Sequence, residues 1–106
     1  MSYTIRHLFG AMEQGHAAAS EFDILYDELA RADGEHTDVS VSHAGWSLSV
    51  YPSGLVVFEN VEDDAGIGPR HLRPVPRDKV LQLWHALAKG NFEEIEREGW
   101  QPGYGQ

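Results

Sequence analysis

Apolar and polar positions change period along this chain, and the changes mark its elements. "YTIRHLF" (residues 3–9) sets Tyr3, Ile5, His7 and Phe9 against Thr4, Arg6 and Leu8, the period of a half-buried strand. The period then lengthens. Phe22, Leu25, Tyr26 and Leu29 stand at i, i+3, i+4 and i+7 in "GAMEQGHAAASEFDILYDELARADGE". That spacing predicts a long amphipathic helix with Glu21, Asp23, Asp27 and Glu28 on its polar side. Ala17, Ala18, Ala19 and Ala30 favour the helix, and Gly15 interrupts its start. Ser20 with Asp23 can cap a shorter version, and Gly34 ends it.

Period two then returns. Val39 and Val41 alternate with Asp38, Ser40 and Ser42, and Trp46, Leu48 and Val50 alternate with Ser47, Ser49 and Tyr51. These are two strands, or one strand continued through a bulge at Gly45. Pro52 and Gly54 in "YPSG" supply hairpin-turn chemistry, and "LVVFEN" returns as a central strand. Trp46 and Leu48 are expected to face the helices, with Ser47 and Ser49 in solvent. "VEDDAGIGPR" reads as a solvated acidic loop, and "RHLRPV" as a last strand at an edge, limited by Pro74.

Pro76 suits the first turn of a second helix, whose inward face is Val80, Leu83, Trp84 and Leu87. Gly90 stops it. Asn91 and Glu94 hold capping-box positions for a third helix with Phe92 and Ile95 inward, ended by Gly99. The expected fold is α+β: an antiparallel sheet of four to five strands with helices packed on one face, in the order β-α-β-β-β-β-α-α. Residues 1–106 form one domain, with 101–106 a flexible tail that Trp100 can pin to the core.

Composition narrows the function classes. The 106 residues are 42% hydrophobic, enough for one modest core and too much for a disordered chain. No apolar run is long enough to cross a bilayer, and "MSYTIRHLFG" lacks the features of a signal peptide. The expectation is a soluble cytoplasmic protein with no membrane partner. The absence of cysteine excludes disulfides, thiolate nucleophiles and Cys-based metal sites. A net charge of −9 argues against nucleic acid and is compatible with a protein partner that has a basic surface. The acids concentrate in the first helix and in the loop at Glu62, Asp63 and Asp64.

The sequence carries little reaction chemistry. There is no P-loop, no dinucleotide fingerprint and no G-x-S-x-G elbow, and Ser53 belongs to a turn. "EDDAGIG" lacks the alternating acids and closing Glu of a calcium loop. No catalytic residue, resident metal or cofactor is implied. Arg70, Arg73, Arg77 and Lys79 form the one basic cluster, read first as charge that protects a sheet edge and second as an anion site. His7, His43 and His71 fall on strands, and His43 and His71 are the metal or general-base candidates if their strands are neighbours.

"WSLSVYPSGLVVFEN" followed by "RHLRPVPRDKVLQLWHALAKGNFEEIEREGW" resembles small bacterial proteins of the immunity type. These are encoded beside secreted polymorphic toxins and neutralise them by binding. The resemblance spans Gly45 to Trp100 and rests on structural residues, so it carries no binding residue across. It implies a small, acidic, cysteine-poor α+β domain without catalytic residues. The leading expectation is therefore a non-enzymatic protein-binding domain, in its specific form an immunity protein that occludes a cognate toxin. Glu21, Asp23, Asp27, Glu28, Glu62, Asp63 and Asp64 would meet the basic partner. The alternatives are a small-ligand or metal-dependent enzyme using strand histidines and carboxylates, and a structural homodimer pairing sheet edges.

Overall fold

Two tight hairpins organise the middle of the chain. The structure, a computed structural model, describes residues 3–15, 20–62, 66 and 68–105. Strands β3 (Val39–His43) and β4 (Trp46–Val50) pair antiparallel with His43 opposite Trp46, which leaves Ala44 and Gly45 as a two-residue turn. Both have positive φ, 53° and 84°, the geometry of a type I′ hairpin rather than a bulge. The "YPSG" turn joins β4 to β5 (Val56–Asn60), with Gly54 N–H donating to the Tyr51 carbonyl at 3.0 Å. Sequence pattern and structure agree closely here.

The sheet is larger than the periodicity predicts. Among the described residues it has seven strands, all antiparallel, in the spatial order β2-β1-β3-β4-β5-β6-β7. Strand β1 (Thr4–Arg6) turns back through Gly10 into β2 (Met12–Gln14), a segment expected to be helical. Pairing with β1 overrides the helix-favouring Ala11, Met12, Glu13 and Gln14. At the other side β7 (Gln101–Pro102) pairs with β6 (Arg70–Leu72), so β6 is not an edge. The expected flexible tail is thus corrected: the Tyr104 hydroxyl also donates to Glu59 at 2.8 Å, and Gly105 lies against His71 and Leu55. The element order becomes β-β-α-β-β-β-β-α-α-β.

Among the described residues, three helices lie on one face. Helix α1 (Glu21–Asp27) starts at the position that Ser20 predicts, although Ser20 makes no side-chain capping bond, and it tightens into a 3-10 turn over Glu28–Arg31. Helix α2 (Arg77–Ala88) buries Val80, Leu83, Trp84 and Leu87 as its periodicity requires. Helix α3 (Phe92–Glu96) follows, with Asn91 accepting the Glu94 N–H at 3.4 Å. The reciprocal arm of the capping box goes from the Asn91 amide to the Glu94 carboxylate, because the Asn91 backbone N–H is used by Ala86. Among the described residues no helix is long and apolar enough to cross a membrane.

Cross-strand partners share a face, so the pairing separates the two sides of the sheet. Ile5, Val39, Val41, Leu48, Val50, Val56 and Phe58 point to the helices and form one core with Phe22, Leu25, Trp84 and Leu87. The opposite face carries Thr4, Arg6, Ser40, Ser42, Ser47, Ser49, Val57 and His71. Ser47 is on the expected face but is only 8% exposed, since its short side chain is shielded by the strands on either side.

Candidate functional site

The acids of α1 are tied into the fold rather than presented as one free face. Glu21 accepts the Tyr3 hydroxyl. Asp23 and Asp27 lie 3.3 and 3.5 Å from the Arg77 guanidinium, which itself sits over the Tyr26 ring. Glu28 accepts the Leu8 N–H at 2.9 Å and contacts His7 at 2.6 Å. Asp27 is more solvent-facing than Asp23 or Glu28, with 70% of its side chain exposed.

The basic cluster disperses in the same way. Arg70 makes a two-pronged bond to Glu96 (2.6 and 2.9 Å), Arg77 meets α1, and Lys79 reaches Glu98 at 3.2 Å. Hydrogen bonding to Arg70 holds the Glu96 carboxyl below its usual range, against the opposing effect of burial. These cations brace the chain's own acids, so they do not converge on an anion.

His43 and His71 do not converge either. His43 shares the helix-facing row with Trp46 and Asn60, whereas His71 is opposite Val57 on the other face of the sheet. They also lie on strands separated by β4 and β5. The adjacency needed for a shared metal or base site is therefore contradicted by strand order and side-chain parity. Among the described residues no group of three or more His, Asp or Glu is placed to hold a metal.

One place does bring sequence candidates together. The Ala44–Gly45 turn meets the segment that leaves β5, with Val61 N–H donating to the Gly45 carbonyl at 2.8 Å. Asn60 Oδ1 accepts the Glu62 N–H at 2.8 Å and turns the chain back across the tip. The result is a concavity of about 300 Å³ lined by Thr4, Ser42, His43, Ala44, Gly45, Val61 and Glu62. Val61 is 71% exposed there. A Cβ built on Gly45 would stand 2.8 Å from Glu62 Oε2, so glycine satisfies both the positive φ and the close carboxylate. Among the described residues the Glu62 carboxylate makes no hydrogen bond or ion pair. Asp63 and Asp64 follow Glu62 directly in sequence and lie outside the described residues.

A stiff aromatic base supports this end of the sheet. Trp46 stacks on Phe58 with 4.6 Å between centroids, and Trp100 stacks on the same ring at 5.3 Å. Phe92 touches both His43 and Trp46 from α3. The Arg70 guanidinium lies 5.3 Å from the Phe58 centroid and 5.8 Å from that of Trp46. Val61 was missed in the sequence because a lone exposed valine after a strand has no distinguishing pattern; "NVEDD" marks only the acids. No protein-family model, curated protein or solved structure matches this chain.

Proposed function

We propose that this chain is a non-enzymatic, acidic protein-binding domain whose contact surface is the β3–β4 tip together with the loop that leaves β5. The observation that carries the reading is Glu62: a carboxylate without a partner among the described residues, beside the exposed Val61 and a concavity. The matching partner surface is an apolar side chain flanked by Lys or Arg. The apolar group would enter the concavity and the cations would meet Glu62, Asp63 and Asp64. Complementary charge would speed encounter, while the apolar contact would slow release.

In its specific form, the reading is an immunity protein that blocks a toxin by covering it. Support comes from the resemblance over Gly45 to Trp100, the −9 charge and the placement of the tip on a paired two-residue hairpin. The test is co-expression with the products of neighbouring genes, followed by titration calorimetry on any pair that co-purifies. The reading expects a stoichiometric complex whose association rate falls with added salt. Absence of a complex with every neighbouring product, or a salt-independent association rate, removes the immunity form.

A further inference from the structure

His7 sits at the end of β1 with a carboxylate on each ring nitrogen. Nδ1 is 2.6 Å from Glu28 Oε2, and Nε2 is 2.8 Å from Glu13 Oε1. Glu13 belongs to β2 and faces the helix side of the sheet opposite Ile5, while Glu28 opens the 3-10 turn that extends α1. The other oxygen of Glu28 accepts the Leu8 N–H. Three chain segments thus meet at one imidazole whose side chain is 26% exposed.

Donor counting fixes what this arrangement requires. A neutral imidazole has one N–H and one lone pair, and an ionised carboxylate can only accept. With both ring nitrogens against carboxylates, two hydrogen bonds form only if both nitrogens carry protons. Loss of one proton turns a lone pair toward a carboxylate at one contact and leaves two negative charges without the cation between them. We propose that His7 is a proton-operated clasp: as imidazolium it fastens the β1–β2 hairpin to the turn after α1, and on deprotonation it releases one arm.

The charge surroundings favour the closed form. Burial lowers the His7 pKa, but the hydrogen bonds to Glu13 and Glu28 and the attraction of both carboxylates outweigh it and raise the pKa above 6.5. On the far side of the hairpin tip, Phe9 contacts the His36 ring, whose Nδ1 is held by Asp33, and the Arg31 guanidinium. A folded pKa above the unfolded one means that the clasp contributes fully below about pH 6.5 and is lost as pH rises through the folded value. The segment it frees is β2, whose three residues are all exposed. This clasp is independent of the partner-binding reading.

The test is an NMR pH titration of the full chain that follows the His7 ring nitrogens and the amide exchange of Glu13 and Gly15, the β2-side N–H groups that point to β1. The clasp predicts N–H signals on both ring nitrogens, a midpoint above 6.5 and β2 amides whose protection falls with that same midpoint, beyond the effect of hydroxide catalysis. Glu13→Gln should lower the midpoint, and His7→Gln should remove the pH-dependent step in protection. A wild-type midpoint at or below 6.5, a single ring N–H throughout, or β2 protection without a step at the His7 midpoint would overturn it. The wild-type readings decide the matter even if a variant fails to fold.

Discussion

The indole N–H of Trp84 donates to the Leu48 carbonyl at 3.0 Å, joining the middle of α2 to the middle of a central strand. Both residues have no exposed surface, and Trp84 also meets Phe22 of α1 at 5.8 Å between ring centroids. The bond therefore sits where the two main helices and the sheet come together. Trp84→Ala should cost about 3–5 kcal/mol, the range for removing a buried tryptophan. Trp84→Phe should cost less, because most of the ring is kept and the Leu48 carbonyl, which also faces Val41 in the β3–β4 ladder, gives up only the indole donor. Urea unfolding followed by circular dichroism gives both values.

The β3–β4 turn is suboptimal at its first position. Ala44 adopts φ 53°, where an L-residue with a Cβ is strained, while Gly45 at φ 84° is well matched. Ala44→Asn supplies the Asn-Gly pair preferred in type I′ turns and should stabilise the chain by roughly 0.5–1 kcal/mol. Gly45→Ala should destabilise it by about 1 kcal/mol or more, since the new methyl also meets Glu62. Thermal melts of the two variants should shift in opposite directions.

Glu96 gives the protein an acid-side sensitivity. Its folded pKa is lowered by the Arg70 hydrogen bonds, so its contribution is present above the unfolded value near 4.5 and is lost as pH falls through the folded value. Glu96→Gln should flatten that part of the stability–pH curve below pH 4.5 while leaving the alkaline limb unchanged. Arg70→Lys should weaken the same contact even at neutral pH, because an ammonium cannot reproduce the two-pronged geometry or the stacking against Phe58. Denaturant midpoints measured across pH distinguish the two effects.

The chain end is a structural element. Trp100 donates to the Ile95 carbonyl at 2.7 Å and stacks on Phe58, and the two residues after it pair with β6. Truncation after Gly99 should therefore lower stability by about 1–3 kcal/mol, the loss expected for a half-buried aromatic with its hydrogen bond. It should also uncover Leu55 and His71, which lie against Gly105. Hydrogen exchange at Arg70, His71 and Leu72 should rise in the truncated chain relative to the intact one.

The α2 positions and the strands of the two central hairpins were readable because each has several residues in register with one period, whereas α3 ends at Glu96, before the Gly99 that marks its end in the sequence. Strands β2 and β7 were not, since three and two residues are too few to establish alternation. Met12, Glu13 and Gln14 are intrinsically helix-forming, and only pairing with Thr4, Ile5 and Arg6 decides against that preference. The acids of α1 were visible as charge, but their engagement was not. Glu28 finds its partner twenty-one residues away, at His7, and Asp23 finds Arg77 fifty-four residues away. His43 and His71 looked equivalent as strand histidines; their parity within the paired sheet separates them onto opposite faces.

The most direct test of the binding account compares tagged wild-type chain with the Val61→Asp/Glu62→Lys double variant and with Asp27→Lys, each used to capture partners in the source cells. Circular dichroism first establishes that the three are equally folded. The account predicts one stoichiometric partner with a basic surface, retained by wild type and by Asp27→Lys, released by salt and lost from the tip variant. Equal recovery by the tip variant, or loss through Asp27→Lys alone, would contradict the assignment of the contact surface to the β3–β4 tip.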